Sequence, residues 1–228
     1  MKKILLLLFS IFLLSFVGYN PNSEKPKYFE GQITYDIEYA PYEKRFKAEK
    51  IKKHLGSKMV LTFKDGDYKK EYFAPDGKLL QVRALNLKEE KTYLKLHDSD
   101  TIFWFDITKN ESFTKFEILK DSTVFNYPCK VVKTNTTMTI KNFSNESVDL
   151  DAMYLYAIDL PINAAWYENY YEGNFNEIAK VGEGIALLSI IKGLYWEQTI
   201  KVTSVNKRKV KRSELTIKID KDAPLKEL

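Results

Sequence analysis

His97 stands directly before Asp98-Ser99-Asp100, so an imidazole neighbours two carboxylates and a hydroxyl. Such a group has the donors to ligate a cation or to activate Ser99. A metal centre needs more converging ligands than this, and Asp and Ser are also what a tight turn requires. The second histidine, His54, lies among Lys52, Lys53 and Gly56 at a helix end, where it only adds to favourable charge at the C-terminus. The acidic pairs Glu89-Glu90 and Asp149/Asp151 have no apolar surroundings to raise a pKa for acid catalysis. Cys129 is the single cysteine, which rules out an intrachain disulfide. It reads as a small buried apolar residue, or as a thiol free to pair between chains. No Gly-x-Ser-x-Gly elbow, His-Glu-x-x-His, phosphate-cradling glycine loop or Cys-x-x-Cys occurs. The chain is accordingly read as non-enzymatic, with no catalytic residue, no metal and no cofactor expected.

Binding chemistry is better supplied. Aromatic residues make up 14% of the chain, and Phe103, Trp104 and Phe105 are consecutive, so both faces of any strand there carry a large ring. Two readings stay open. One is an ordinary aromatic core under a helix; the other is an apolar ligand cavity. The cavity reading nominates Phe103 and Phe105 from the sheet, with Trp166 and Tyr170 from a covering helix. A second feature is the basic run Lys207, Arg208, Lys209, Lys211, Arg212, read as a solvated loop or as a peripheral contact with anionic lipid or polysaccharide. The formal net charge is +5. Charges alternate in sign along most of the chain, so no nucleic-acid partner is expected.

The elements that must position these residues are mainly strands. Phe29, Gly31, Ile33, Tyr35, Ile37 and Tyr39 alternate with polar residues, the period of a half-buried strand. Residues 43–55 read as an amphipathic helix closed by Gly56. Strands are predicted at 59–64, 68–73, 78–85, 91–96, 101–107, 113–120 and 129–140, separated by turns such as Asp65-Gly66 and Pro75-Asp76-Gly77. A polar loop follows over 142–151, then a short strand at 153–158. Asn163 caps a helix over 163–180, and Gly182 and Gly184 break the chain. Strands at 185–191 and 194–205 form a hairpin over Lys192-Gly193, and a last strand is predicted at 214–219 before a frayed tail. This pattern describes a mainly β (α+β) chain: one strongly curved antiparallel sheet or half-barrel, with helices on its concave face. A β-sandwich is the alternative.

At the N-terminus, Lys2-Lys3 precede an apolar run from Ile4 to Val17 broken only by Ser10 and Ser15. This is the pattern of a signal peptide over residues 1–20, and the run falls short of the ~20 apolar residues of a membrane span. Residues 21–28 read as a flexible lead-in, 29–220 as a single domain and 221–228 as a tail. Export to the periplasm or outside the cell is the expected location.

Two stretches carry a family resemblance. Phe29-Glu-Gly-Gln-Ile-Thr-Tyr-Asp-Ile-Glu-Tyr resembles the opening strand of exported Bacteroidota proteins related to the GLPGLI family. Phe125-Asn-Tyr-Pro-Cys-Lys is similar to their recurrent turn, and Met153-Tyr-Leu-Tyr-Ala-Ile-Asp-Leu-Pro-Ile-Asn and Gly184-Ile-Ala-Leu-Leu continue it. The resemblance implies an architecture like the LolA-type envelope carriers and a role in handling a lipid, acyl chain or lipoprotein. It supplies no catalytic residue. The leading expectation is a cell-envelope binding protein for a lipid or acyl chain; the alternative is a structural or protein-interaction component with no ligand.

Overall fold

The computed structural model describes residues 28–109, 112–140, 146–217 and 223–228, without the side chains of 138–140 and 146. The expected leader and the lead-in up to residue 27 lie outside the described residues.

Twelve strands form one hydrogen-bonded sheet among the described residues. They are β1 (Gly31–Pro41), β2 (Lys58–Lys64), β3 (Asp67–Phe73), β4 (Leu79–Asn86), β5 (Lys91–Leu96), β6 (Ile102–Asp106), β7 (Ser112–Val124), β8 (Tyr127–Ile140), β9 (Glu146–Pro161), β10 (Gly184–Lys192), β11 (Trp196–Lys207) and β12 (Leu225–Glu227). Their order across the sheet is β12-β6-β5-β4-β3-β2-β1-β11-β10-β9-β8-β7. Two antiparallel meanders, β1 to β6 and β7 to β11, therefore join where β11 returns to pair with β1. The tight connections follow the sequence. Asp65 and Gly66 take φ of 49° and 87°, the two left-handed residues of a type I′ hairpin turn. Phe125 and Asn126 do the same between β7 and β8, with φ of 50° and 64°.

Connectivity forces this sheet to curl. Strands β6 and β7 stand ten positions apart in the order, which would separate them by about 48 Å in a flat sheet at ~4.8 Å per strand. Yet Asp106 and Ser112 are consecutive strand ends, and the chain between them spans at most ~20 Å fully extended. The two margins must therefore approach each other. No β6–β7 ladder forms among the described residues; the segment after β9 lies over that gap instead. The backbone N–H groups of Tyr171 and Glu172 donate to Ile107 O at 2.7 and 3.0 Å. On the other side, Asn174 Nδ2 donates to Ser112 O at 2.9 Å and to Thr114 Oγ1 at 3.3 Å.

Several elements differ from the sequence reading. The first helix, α1 (Ala48–Leu55), starts five residues late, because after Pro41 the Tyr42 N–H pairs across to Tyr195 O at 3.0 Å. The helix expected over 163–180 is broken. A 3-10 turn spans Ala164–Tyr167, with Asn163 Oδ1 accepting from Ala165 N at 3.1 Å. Only after Gly173 and Asn174, at φ of 62° and 56°, does α2 (Phe175–Gly182) begin. The N–H groups that a continuous helix would use internally are spent on Ile107. Where a polar loop was expected over 142–151, β9 already runs from Glu146. Its polar side chains pair across the ladder, Asn135 Nδ2 with Asp151 Oδ1 at 2.9 Å and Thr137 Oγ1 with Asp149 Oδ1 at 2.6 Å. The strand expected over 214–219 begins as a 3-10 turn at Arg212–Glu214, because Glu214 folds back on Arg208 and the Lys211 N–H; residues 218–219 lie outside the described residues. The tail is not all frayed, since Leu225–Glu227 adds to β6 in parallel.

Ile33, Ile37, Leu160 and Leu187 are fully buried, and Tyr167 nearly so. Each apolar chain of this size contributes about 1.5–3 kcal/mol on burial. Cys129 is buried and free. No helix among the described residues is long and apolar enough to cross a membrane.

Candidate functional site

Between the sheet and α2 lies a cavity of about 360 Å³. Its floor comes from strand alternation. Tyr35 pairs with Met59, Met59 with Tyr72, Leu61 with Lys70 and Phe63 with Tyr68, so these side chains share one face across β1, β2 and β3. Tyr154, Tyr156, Ala186, Ser189 and Ile200 continue the lining on the other side of β1, and Phe175, Ile178, Ala179 and Gly182 close it from α2. Gly182 is there for clearance: a Cβ would sit 2.9–3.0 Å from the Tyr156 ring.

The walls are fixed by ring contacts and a few buried hydrogen bonds. Tyr167 meets Phe175 edge-on at 5.0 Å, and its hydroxyl donates to Gly66 O at 2.9 Å. Tyr154 and Tyr156 stack at 5.7 Å. Tyr35 donates to Ala186 O at 3.0 Å. Burial pushes the phenols up: Tyr68 to about 12, Tyr35 further still, and Tyr156 and Tyr167 well above the ordinary value. They serve as neutral amphipathic walls at any ordinary pH.

One lining residue carries a charge, Lys70. Removal from water is the first cause that lowers its pKa from 10.5 to about 8; repulsion by Arg83 adds to it and attraction to Glu172 opposes it. The Lys70 Nζ sits 4.6 Å from the centre of the Tyr68 ring, a cation–π contact.

The four rings nominated from sequence fall around this cavity rather than along its lining. Following the registers, Lys70 aligns with Arg83, Leu94 and Phe103, and Tyr68 with Leu85, Thr92 and Phe105. Phe103 and Phe105 thus share the cavity's sheet face but stand three strands away, ~14 Å along the sheet. Tyr170 packs behind the wall, 4.7 Å from Phe175. Trp166 turns to Tyr28 and Phe63 at 4.9 and 6.3 Å and lines a separate cleft beside Asp67 and Arg212. Sequence reasoning missed Lys70, Tyr68 and Tyr72. The signal was present in Tyr68-Lys69-Lys70-Glu71-Tyr72, where alternation sets Lys70 between two tyrosines on one face.

Two other depressions are larger, about 700 and 750 Å³. In the first, Arg212 is already tied to Asp65 and Asp67. In the second, His97 Nε2 lies 3.8 Å from Asp98 Oδ1 on an exposed turn. The first is walled by Ala84, Leu85, Leu87, Trp166 and Leu215 but also carries Asp65, Asp67, Lys88, Glu89 and Arg212, whereas the cavity under α2 has Lys70 as its one charged lining residue. The second is lined by Lys53, Lys78, Asp76, His97 and Asp98. The basic run is similarly engaged. Arg208 pairs with Glu214 at 2.7 Å, Lys209 with Glu30 at 3.3 Å, and Lys207 donates to Asp159 O at 3.3 Å.

These features define a curled β-sheet protein with an aromatic-walled apolar cavity. No family model and no curated protein matches the chain. Among solved structures, lipoprotein LppX of Mycobacterium tuberculosis aligns with a TM-score of 0.36 at 8% identity, over 84% of this chain and 90% of that one. LprF from Mycobacterium bovis aligns with a TM-score of 0.32 at 8% identity, over 85% and 90%. At such scores the likeness carries no argument about activity or ligand.

Proposed function

We propose that the chain is a non-enzymatic, extracytoplasmic binding protein whose curled sheet acts as a LolA-like half-barrel and takes an acyl chain or other lipid between sheet and α2. The cavity of about 360 Å³ carries this reading. It falls within the size range of small-molecule sites, which are mostly apolar with a few placed polar groups. Each methylene moved from water into it contributes ~0.8 kcal/mol. The leader pattern supports an extracytoplasmic location, and the Bacteroidota resemblance supports a lipid or lipoprotein as the partner.

One observation favours the second reading, a structural envelope component without ligand. Tyr167, Tyr170 and Phe175 fill part of the same face with ring-to-ring packing, Phe175 lying 5.0 and 4.7 Å from the two tyrosines. The two readings separate by native mass spectrometry of the purified protein with lipid extraction, joined to titration with a fluorescent fatty acid. Ala186→Phe, which fills the cavity, should abolish binding while the melting transition persists. A wild-type protein with no co-purifying lipid and no fatty-acid binding would leave the structural reading standing.

A further inference from the structure

Lys69 and Lys70 are neighbours with opposite fates. Strand alternation turns Lys69 to the far face of β3, where it pairs with Glu71 at 3.3 Å. It turns Lys70 inward, against Leu61 of β2 and Arg83 of β4. There the ammonium meets the Tyr68 ring and no carboxylate at ion-pair distance among the described residues. Glu172, on the turn before α2, faces it and Arg83 from further off. The remaining groups about it are the hydroxyls of Tyr68, Tyr72 and Tyr170.

A lone cation in an apolar cavity is costly to the folded protein unless something pairs with it. Alternation did not require a lysine: any apolar residue would complete the floor between Tyr68 and Tyr72. From this geometry we infer that Lys70 receives the anionic head of a single-chain amphiphile, a carboxylate or phosphate monoester, whose hydrocarbon tail fills the cavity. This rests on the cavity reading above and adds the ligand's charge. The Tyr68 ring holds the ammonium over the cavity, and Arg83 across the strand pair adds positive potential. Glu172 would repel the head from the far side and so confine it to Lys70. A charge-assisted hydrogen bond in such a setting is short and strong. The depressed pKa of Lys70, about 8, fits a free ammonium waiting for its counterion.

Dodecanoate, dodecyl phosphate and dodecanol share one tail and differ in the head, so titrating the wild-type protein with each at pH 7 isolates that charge. Both anions should bind at least ~10-fold more tightly than the alcohol, and a gap between them tells which head is preferred. Lys70→Met should bring the anions to the alcohol's affinity and leave the alcohol unchanged; Lys70→Arg should keep the preference. A second measurement needs no variant. Raising the pH from 7 to 9.5 should erase the wild-type preference for dodecanoate, itself ionised throughout, while dodecanol binding stays constant. Equal affinities in the wild type, or a preference surviving in Lys70→Met, would overturn the anionic-head assignment and leave chain binding intact. Failure of all three probes to bind would overturn chain binding, and this assignment with it.

Discussion

In the loop after β11, Arg208 meets Glu214 at 2.7 Å, Lys209 meets Glu30 at 3.3 Å and Arg212 meets Asp65 at 3.0 Å. In the cavity, Lys70 meets the face of the Tyr68 ring and has no carboxylate at ion-pair distance among the described residues, Glu172 attracting it from further off. The molecule therefore pairs its cations where water already screens them and each pair is worth little. It leaves Lys70, half-buried among the rings of the cavity, without a carboxylate at ion-pair distance among the described residues, where a partner would matter more. Stability alone would favour the reverse arrangement. The loop's pairings tie chain to chain; the cavity's lone ammonium weakens the free protein and is explained by a ligand. The same contrast sets the basic run apart from the cavity: four of its five cations, Lys207, Arg208, Lys209 and Arg212, already have a partner within the protein.

The sharpest way to break the comparison is to remove the inner charge. Lys70→Met should stabilise the free protein by about 2 kcal/mol, because a desolvated ammonium is exchanged for an apolar chain of similar length. Chemical denaturation of the ligand-free protein would show this as a raised midpoint at unchanged slope. A loss of stability instead would mean that Lys70 is a structural strut and the contrast is false.

The same charge fixes a pH dependence. The folded pKa of Lys70 is depressed from 10.5 to about 8, so above pH 8 the folded state has released a proton that the unfolded chain still binds. Stability rises with pH in that window. Between pH 8 and 9.5 the wild type should gain about 1.5 kcal/mol relative to Lys70→Met, measured as the difference between their denaturation free energies. The window closes near pH 10, where unfolded tyrosines begin to ionise while the buried phenols resist, which reverses the slope.

In the loop the sign is opposite. The Glu30 carboxylate accepts from the Val210 N–H at 2.7 Å, Lys64 Nζ at 3.0 Å and Lys209 Nζ at 3.3 Å. The Val210 N–H, first among these, and the two ammonium groups hold its pKa at about 2. The stabilisation is complete above the unfolded value near 4.5 and is lost as the pH falls through about 2. Glu30→Gln should cost about 1 kcal/mol at neutral pH after discounting for solvent screening. It should also flatten the loss of stability between pH 4.5 and 2, a limb readable by acid titration of the folded signal.

These contrasts were unevenly legible in the sequence. The strands from β1 to β6 and their turns follow from period-2 alternation and from dipeptides such as Asp65-Gly66, both local signals. The curl was also implicit, though only through pairing: nothing within β11 announces that it returns to β1. Residues 163–180 misled as a helix because their apolar spacing fits one, whereas the Ile107 carbonyl takes the N–H groups of Tyr171 and Glu172. Long-range partners of that kind leave no local trace. The cavity rings were sought in consecutive aromatics, Phe103 to Phe105, which mark a strand wet or packed on both faces. The alternating Tyr68, Lys70 and Tyr72 mark one lined face. The pairing of the basic run was hidden because three of its acids, Glu30, Asp65 and Asp67, lie more than a hundred residues away in the chain; Glu214, six residues from Arg208, is the near one.

The smallest expected effect tests the outer half of the comparison at its most exposed pair. Arg212 is 58% exposed and Asp65 55%, so their attraction acts through water. Asp67 is more enclosed, at 18% exposure, but its Oδ1 already accepts from the Leu87 N–H at 2.9 Å. Arg212→Ala leaves that hydrogen bond to Asp67 in place while removing the screened contact to Asp65 and the ion pair to Asp67. It should cost about 0.5 kcal/mol, near the middle of what exposed pairs contribute. The cost should vanish in 1 M salt, where charges are screened within ~3 Å. Denaturation curves of wild type and variant at low and high salt give both numbers. A loss well above 1 kcal/mol that survives high salt would make the loop part of the packed core. The loop's pairs would then be as costly to break as the cavity's charge is to keep, and the division between an outer region of paired cations and an inner unpaired one would lose its energetic basis.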